Sequence, residues 1–482
     1  PKARRMLFAL VFFLNAAANL ALGVALGALL GPAEFGRYAT ILLGATTLST
    51  ALFDWLRLSS IRFSGGEERR IPVAASLDAA WLAMIALALV VTLGLAATGA
   101  DLGFGLAALA LTPFLALAIA RADYAAATMR ARDLTRAFMT LAAIRQALVF
   151  TVVLGVTWWT RSAIASVAAF CLVTLAAVTL VSAPLRTPGA RLSLAEREDV
   201  RRFLVYAKPI VVSTVLYQAM ALINRHLALD WFGAEPTGKL SLATDLGFRV
   251  FLAISVLPET LLFQHALRRE AEEGRAAAQA QIGVNMTLVF AVLAPLTVGY
   301  AVMQPTFEAL LVPHAFRGDF ARLSLSLTPG FFAFCALYAA FNPVFQLEKT
   351  TWPLTLAALA AISCDLALLT LTPLNASVDG LAQAHAISLC VGLIAAAIPA
   401  LRRKAMRPRV RDLAIVAAAT TAMGFAIAPL NGIAPAPVAA ALAVMLGGGP
   451  VCALFFALDV GGLRTWARAR WAARGACAAP AP

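Results

Sequence analysis

Apolar stretches of roughly 20 residues recur from one end of the chain to the other, separated by short polar breaks. A helix rises about 1.5 Å per residue, so stretches of this length match the ~30 Å hydrocarbon core of a bilayer. The pattern predicts about fourteen spans, at 6–30, 38–56, 75–99, 103–120, 137–159, 162–183, 203–229, 240–262, 281–304, 324–346, 351–372, 381–401, 412–430 and 435–458. Each has to be helical, because an open strand would leave its backbone amides and carbonyls unsatisfied in lipid. The first stretch is longer than a signal-peptide apolar region and lacks a small-residue cleavage site, so it reads as a retained helix.

The basic residues orient these spans. Of the 39 Lys and Arg, only Arg37, Arg161, Lys239, Arg317 and Arg322 fall on loops that an inward-facing N-terminus would place outside. Arg145, Arg225 and Arg249 lie within spans, and the remainder sit on the segments expected inside. A missed or invented span would scramble this asymmetry. The expectation is a multi-pass bacterial inner-membrane protein with N- and C-termini cytoplasmic.

Two basic connections, Pro184 to Arg202 and Arg402 to Arg411, break the chain into larger blocks. The predicted organisation is an N-terminal six-helix bundle (1–183), a cytoplasmic linker (184–202), a C-terminal six-helix bundle (203–401), and an appended helix pair with a basic tail (402–482). Within the linker, Ser193 and Glu196 have the spacing of a capping box opening a short surface helix. A repeat accompanies the even split. Gly31, Gly36 and Arg37 precede span 2, and Gly233, Gly238 and Lys239 precede span 8 at the same spacing. Glycines permit a tight external turn, and a basic side chain beside them can reach the headgroups. Two halves with the same orientation would be related by an axis along the membrane normal.

Composition narrows the class further. With 61% hydrophobic and 13% charged residues, the chain has too little polar surface for a soluble protein of 482 residues. Its net charge of +14 suggests nucleic acid at first sight. The basic residues are spread over short loops, however, and form no single soluble face, so no nucleic-acid partner is expected. Five of the six cysteines (Cys171, Cys335, Cys364, Cys390 and Cys452, but not Cys477) lie in apolar stretches and read as buried, inert thiols. No phosphate-binding GxxxxGK[ST] loop, HExxH or CxxC occurs, and the four histidines are dispersed. Neither an enzyme, a metal site nor a cofactor is expected.

Leu29 to Ala39, reading Leu-Leu-Gly-Pro-Ala-Glu-Phe-Gly-Arg-Tyr-Ala, resembles the loop between the first two helices of the polysaccharide-transporter branch of the multidrug/oligosaccharidyl-lipid/polysaccharide flippase superfamily. Asn224-Arg225, Trp231 to Glu235 and Gly238 to Ala243 resemble the counterpart after helix 7. The family usually has Asp-Arg where this chain has Asn224-Arg225. The resemblance implies an all-α integral membrane protein, V-shaped, with two six-helix bundles and helices 1, 2, 7 and 8 lining a central cavity. It also implies a cargo, undecaprenyl-diphosphate-linked oligosaccharide, moved between leaflets by alternating access. Membrane lipids, a polysaccharide polymerase and export proteins are the partners it suggests.

Charged and amide residues inside spans are candidates for the chemistry, since a charge at bilayer depth normally faces a cavity or a partner. Asp245 and Arg249 are one turn apart in span 8. They read either as an i, i+4 ion pair or, for Arg249, as a fork onto the phosphates of the cargo. Asn15 and Asn19 share a face of span 1 and could join helices or hydrogen-bond sugar hydroxyls. Asp54 and Arg57 lie near the cytoplasmic end of span 2, and Arg225 near the external end of span 7, where snorkelling to the headgroups is the simple expectation. Arg145, Asp365 and His385 are scattered, with Asp365 the best placed for ion coupling.

The leading expectation is a flippase for exopolysaccharide, capsule or O-antigen synthesis. A multidrug or cation antiporter of the same superfamily typically has twelve helices and a carboxylate in the first-half cavity, where span 1 carries amides. A lipid II flippase has the same span count with different basic residues in helix 1. A membrane polysaccharide polymerase or ligase needs external machinery, and the longest outside loop, about 305–323, is short.

Overall fold

The computed structural model describes residues 2–63, 71–97, 105–185, 187, 189–433 and 435–468. Among them every regular element is a helix. We number the long ones α1 (2–30), α2 (32–63), α3 (Ile71–Ala97), α4 (Gly105–Ala131), α5 (Thr135–Thr160), α6 (Ala163–Val181), α7 (Arg197–Phe232), α8 (Ala234–Glu273), α9 (Arg275–Val302), α10 (Asp319–Leu347), α11 (Trp352–Leu371), α12 (Val378–Leu401), α13 (Val410–Ile427) and α14 (Ala436–Ala457). By length and composition, 11 helices among the described residues could cross a membrane. One of these runs through the kink between α1 and α2. The expected spans 4 and 8 fall on α4 and α8, of 27 and 40 residues, in each of which some side chains lie outside the described ones. Arg186, the loop with Arg69 and Arg70, and the tail beyond residue 468 with Cys477 lie outside the described residues.

Contacts divide the chain into two compact units. The first comprises residues up to Asp245 together with Pro313–Phe316 and Asp365–Leu381. Its core joins aromatic side chains from α2, α3, α4 and α7. Phe53 packs on Trp81 at 4.7 Å, Trp81 meets Tyr124 edge-on at 5.4 Å, and Phe63 packs on Phe203 at 5.3 Å. In a bilayer, lipid competes equally for apolar side chains, so close packing is what holds helices together. Small residues achieve it on α4, where Ala116, Ala118, Ala125 and Ala127 are fully buried. The second unit comprises 246–312, 317–364 and 382 onward. There α13 packs on α9 and α14 packs on α13, within a cluster that holds Val416, Met423, Ile427, Val451 and Phe455. Cys171 and Cys335 are buried as expected, but Cys452 is exposed on α14.

The repeated glycine motif acquires a physical meaning. Gly31 ends α1 at φ 72°, ψ 171°, and Gly233 ends α7 at φ 85°, ψ −179°. Both sit in a region essentially restricted to glycine. Gly36 and Gly238 serve a different need. A Cβ on Gly36 would lie 2.7 Å from the Ala234 carbonyl oxygen, and one on Gly238 would fall inside the radius of the Pro32 carbonyl oxygen. Ala234 stands to Gly238 as Pro32 stands to Gly36, so each motif packs on its counterpart's helix start.

The linker departs from expectation. Ser193 lies in a short 3₁₀ turn, Leu192–Leu194, and α7 starts only at Arg197 with Glu196 as its extended N-cap. The Ser76 hydroxyl accepts from the Glu196 amide at 2.8 Å and donates to its carbonyl at 3.3 Å. That tertiary contact fixes Glu196 outside the helix and supplants a local capping box. In the second unit, Glu348 ties three segments together. It accepts from Gln279 at 3.1 Å and pairs with Arg275 at 3.0 Å and Arg403 at 3.8 Å. Burial pushes this carboxyl up, but the hydrogen bonds from Gln279 and Arg275 and the two guanidinium charges outweigh it and hold it below the ordinary carboxylate range.

Two predictions follow from these contacts. Gly238→Ala forces two backbones apart and should lower the thermal midpoint in detergent well beyond Gly31→Ala, whose penalty is conformational and about 1–3 kcal/mol. A depressed carboxyl stabilises the fold above its unfolded pKa and loses that contribution as pH falls through the folded value. Melting curves below about pH 4.5 should therefore show wild type losing stability that Glu348→Gln lacks throughout.

Candidate functional site

The first unit holds a buried charge network. Asn224 and Arg225 are consecutive on α7, so their side chains diverge by about 100° around the helix and serve different neighbours. Arg225 is only 6% exposed and does not reach toward headgroups, contrary to the snorkelling expectation. Its Nη1 donates to the Ala39 carbonyl on α2 at 2.9 Å, and its Nη2 donates to Asp245 on α8. Asp245 thus has a partner 20 residues earlier in the chain, a contact that the sequence pattern did not suggest. Burial of the guanidinium is satisfied by one charge and one carbonyl, and a single residue links α2, α7 and α8.

Asn224 turns to α11. Its Nδ2 donates to the Asp365 carboxylate at 2.7 Å and to the Met220 carbonyl at 3.1 Å. Asp365 is fully buried. The carboxylate missing at position 224, relative to the Asp-Arg pattern, is therefore supplied from α11 directly beside it. A carboxylate held by an amide at this depth offers hard oxygen atoms to a proton or a small cation.

Asp54 binds Arg57 through both oxygens on one turn of α2, with the second bond at 3.0 Å. Asn15 and Asn19 are half-buried on one face of α1. Arg249 is half-buried in the second unit. The structure thus brings Arg225 and Asp245 into contact and sets Asp365 against the neighbouring Asn224. His385 is buried in the second unit. No group of three His, Cys, Asp or Glu side chains among the described residues could hold a metal ion.

Sequence reasoning missed one grouping. Asp123 on α4 lies within electrostatic reach of Arg145 on α5, Arg57 and Asp54 on α2, and Arg130 on its own helix. The available signal was the seven-residue spacing of Asp123 and Arg130, two turns apart on one face, opposite a mid-span arginine.

Comparison with known proteins gives the fold an independent reference. No family model matches the chain, and no curated protein matches it in sequence. Solved structures do match. A lipid II flippase, MurJ, in an inward closed conformation aligns over 94% of this chain and 99% of its own, with a TM-score of 0.70 and 13% identity. An inward-facing multidrug-resistance transporter of the MATE family, in the MOP superfamily, aligns over 82% of this chain and 98% of its own, with a TM-score of 0.56 and 14% identity. The chain has the fold that these membrane transporters share.

Removing one member of a buried ion pair leaves the other uncompensated, at a cost of about 3–5 kcal/mol. Arg225→Met should therefore lower the thermal midpoint strongly. Arg225→Met combined with Asp245→Leu should recover much of the loss, because no charge then remains to be solvated. Equal melting of the single and double variants would show that the pair is not the cause.

Proposed function

We propose that this chain is a transporter moving an undecaprenyl-diphosphate-linked oligosaccharide from the inner to the outer leaflet, in the service of exopolysaccharide, capsule or O-antigen assembly. The observation that carries this reading is the fold match to a flippase of a lipid-linked substrate along nearly the whole of both chains. The drug-transporter match leaves a larger part of this chain uncovered, which favours a lipid-linked cargo over a soluble drug or cation. Lipid II itself is the alternative cargo of the same chemical class, differing in the sugar and not in the diphosphate.

In this reading no covalent step occurs and the chain is not an enzyme. The chain sits in the inner membrane with both termini cytoplasmic, and the six-plus-six partition around residues 184–202 describes its two homologous halves. The matching conformations of Gly31 and Gly233 support that partition. Arg249 forks onto the cargo's phosphates, and Asn15 and Asn19 meet sugar hydroxyls. Arg225 and Asp245 form the frame that positions α7 and α8. Asp365, held by Asn224, is the ion-coupling group. Basic cytoplasmic loops concentrate anionic lipid, worth about 1 kcal/mol per nearby charge. A downstream polymerase and export proteins would consume the product.

The test uses protein in liposomes with a fluorescent undecaprenyl-diphosphate oligosaccharide in both leaflets and an impermeant sugar oxidant. Exposure of the inner pool should be fast with wild type and slowed at least about tenfold by Arg249→Ala. An imposed ion gradient should alter the wild-type rate but not that of Asp365→Asn. Absence of exchange with several sugars, in folded protein, would defeat the flippase reading.

A further inference from the structure

The three arginines around Asp123 form a concentration of charge in the first unit that the proposed transport chemistry does not use. Their arrangement follows from helix register. On the topology read from the basic residues, α4 runs toward the cytoplasm and α5 runs back, so the two are antiparallel neighbours. The Arg130 guanidinium lies over the Phe138 ring at 5.5 Å, which sets the register between them. Asp123 stands seven residues before Arg130 and Arg145 seven residues after Phe138, each about 10 Å along its helix. The two therefore face one another, as their electrostatic coupling also shows. The Thr128 hydroxyl donates to Ser60 at 3.0 Å and locks α2 alongside α4. One turn before Ser60, Arg57 comes level with the stretch between Asp123 and Arg130. Arg57, Arg130 and Arg145 thus converge on Asp123 from three helices.

Charge is not balanced within the group. Three guanidiniums face two carboxylates, and Asp54 is already committed to Arg57. Among the described residues, no ion pair at contact distance joins Asp123, Arg130 or Arg145 to a partner, so the charges attract across a gap. Arg57 and Arg130 also repel one another. Arg130 is also held by the Phe138 ring and by a 3.4 Å bond from its Nε to the Ala126 carbonyl, much as neighbouring arginines are held. Arg132 donates to the Leu185 carbonyl at 2.8 Å and to Thr187 at 3.2 Å, and Arg121 lies over Trp81 and Tyr124. Asp123 and Arg130 are exposed and Arg145 is half-buried. Accessible charges facing each other between helices border water and not lipid, because a lipid-facing charge costs about 2.5–3.5 kcal/mol.

We propose that Arg57, Arg130 and Arg145 form a binding site for the phosphate of an anionic lipid headgroup, with Asp123 as the internal counter-ion that the phosphate displaces. A phosphate carries more negative charge than the carboxylate and presents several oxygens to guanidinium forks, so it satisfies all three arginines where Asp123 satisfies none by direct contact. The proposal rests on the reading of the chain as a carrier of phosphate-bearing lipid, and adds to it a site distinct from Arg249. It makes Asp123 a competitor of the ligand, which a purely structural carboxylate would not be.

The test is calorimetric titration of full-length protein in zwitterionic nanodiscs, with Arg249→Ala as background, using inorganic pyrophosphate and farnesyl diphosphate as probes. Both should bind, and Arg145→Gln or Arg130→Gln should weaken each by about tenfold or more, with folding checked by melting. Asp123→Asn should tighten both probes, the sign that separates a binding role from a structural one. Unchanged affinity in the arginine variants, or weaker binding in Asp123→Asn, overturns the site. Binding of pyrophosphate without farnesyl diphosphate overturns the lipid source in favour of a free phosphate. Liposome exchange separates the two ideas. Exchange that persists without this binding sinks the site alone, and binding without exchange sinks the transport reading while the site stands.

Discussion

A charge at bilayer depth has to meet a counter-charge, a carbonyl or water, and the arrangement of the first unit answers to that requirement at several points. Arg225 is the clearest instance. Its guanidinium draws the Ala39 carbonyl and Asp245 to α7, so the helix that carries it cannot slide past α2 or α8 without stranding a buried charge. One residue away, Asn224 fixes α11 through Asp365. Two consecutive side chains on one helix therefore set the positions of three others. Apolar packing of the Phe53, Trp81 and Tyr124 cluster adds to this, but aromatic side chains can repack more freely than a paired charge can relocate.

Backbone approach is the second constraint. The two glycine motifs let helix starts meet at distances that no side chain permits, with Pro32 against Gly238 and Ala234 against Gly36. The reciprocity of these contacts and the matching conformations of Gly31 and Gly233 give the internal repeat a structural form. The residues at this joint are constrained, because a Cβ is excluded there sterically at two positions and conformationally at the other two. Function then depends on where the remaining charges lie. Those at Arg225 and Asp245 are spent on the frame, whereas Asp123 meets Arg130 and Arg145 without an ion pair at contact distance among the described residues.

The all-helical, membrane-spanning character was legible in the sequence, because apolar length is a property of each segment alone. The glycine repeat was legible for the same reason, as a spacing along one chain. Local capping was not. Ser193 and Glu196 have the right spacing, yet Ser76, 120 residues away, claims the Glu196 backbone. The candidate residues were largely identifiable as intramembrane polar groups, but their roles were not. Arg225 looked free to reach headgroups, its bond to Asp245 was not foreseen, and Asn224 looked like a lost carboxylate.

The sequence by itself determined that this is an all-helical membrane protein with a repeated glycine turn and a handful of charges within long apolar helices. Hydropathy and charge fix those features segment by segment, whatever the neighbours. Only the tertiary structure decided which charge meets which. Partners such as Arg225 and Asp245, Asn224 and Asp365, or Asp123 and Arg145 lie on different helices. Their meeting depends on helix register and rotation, which packing across the whole unit settles and no local pattern encodes.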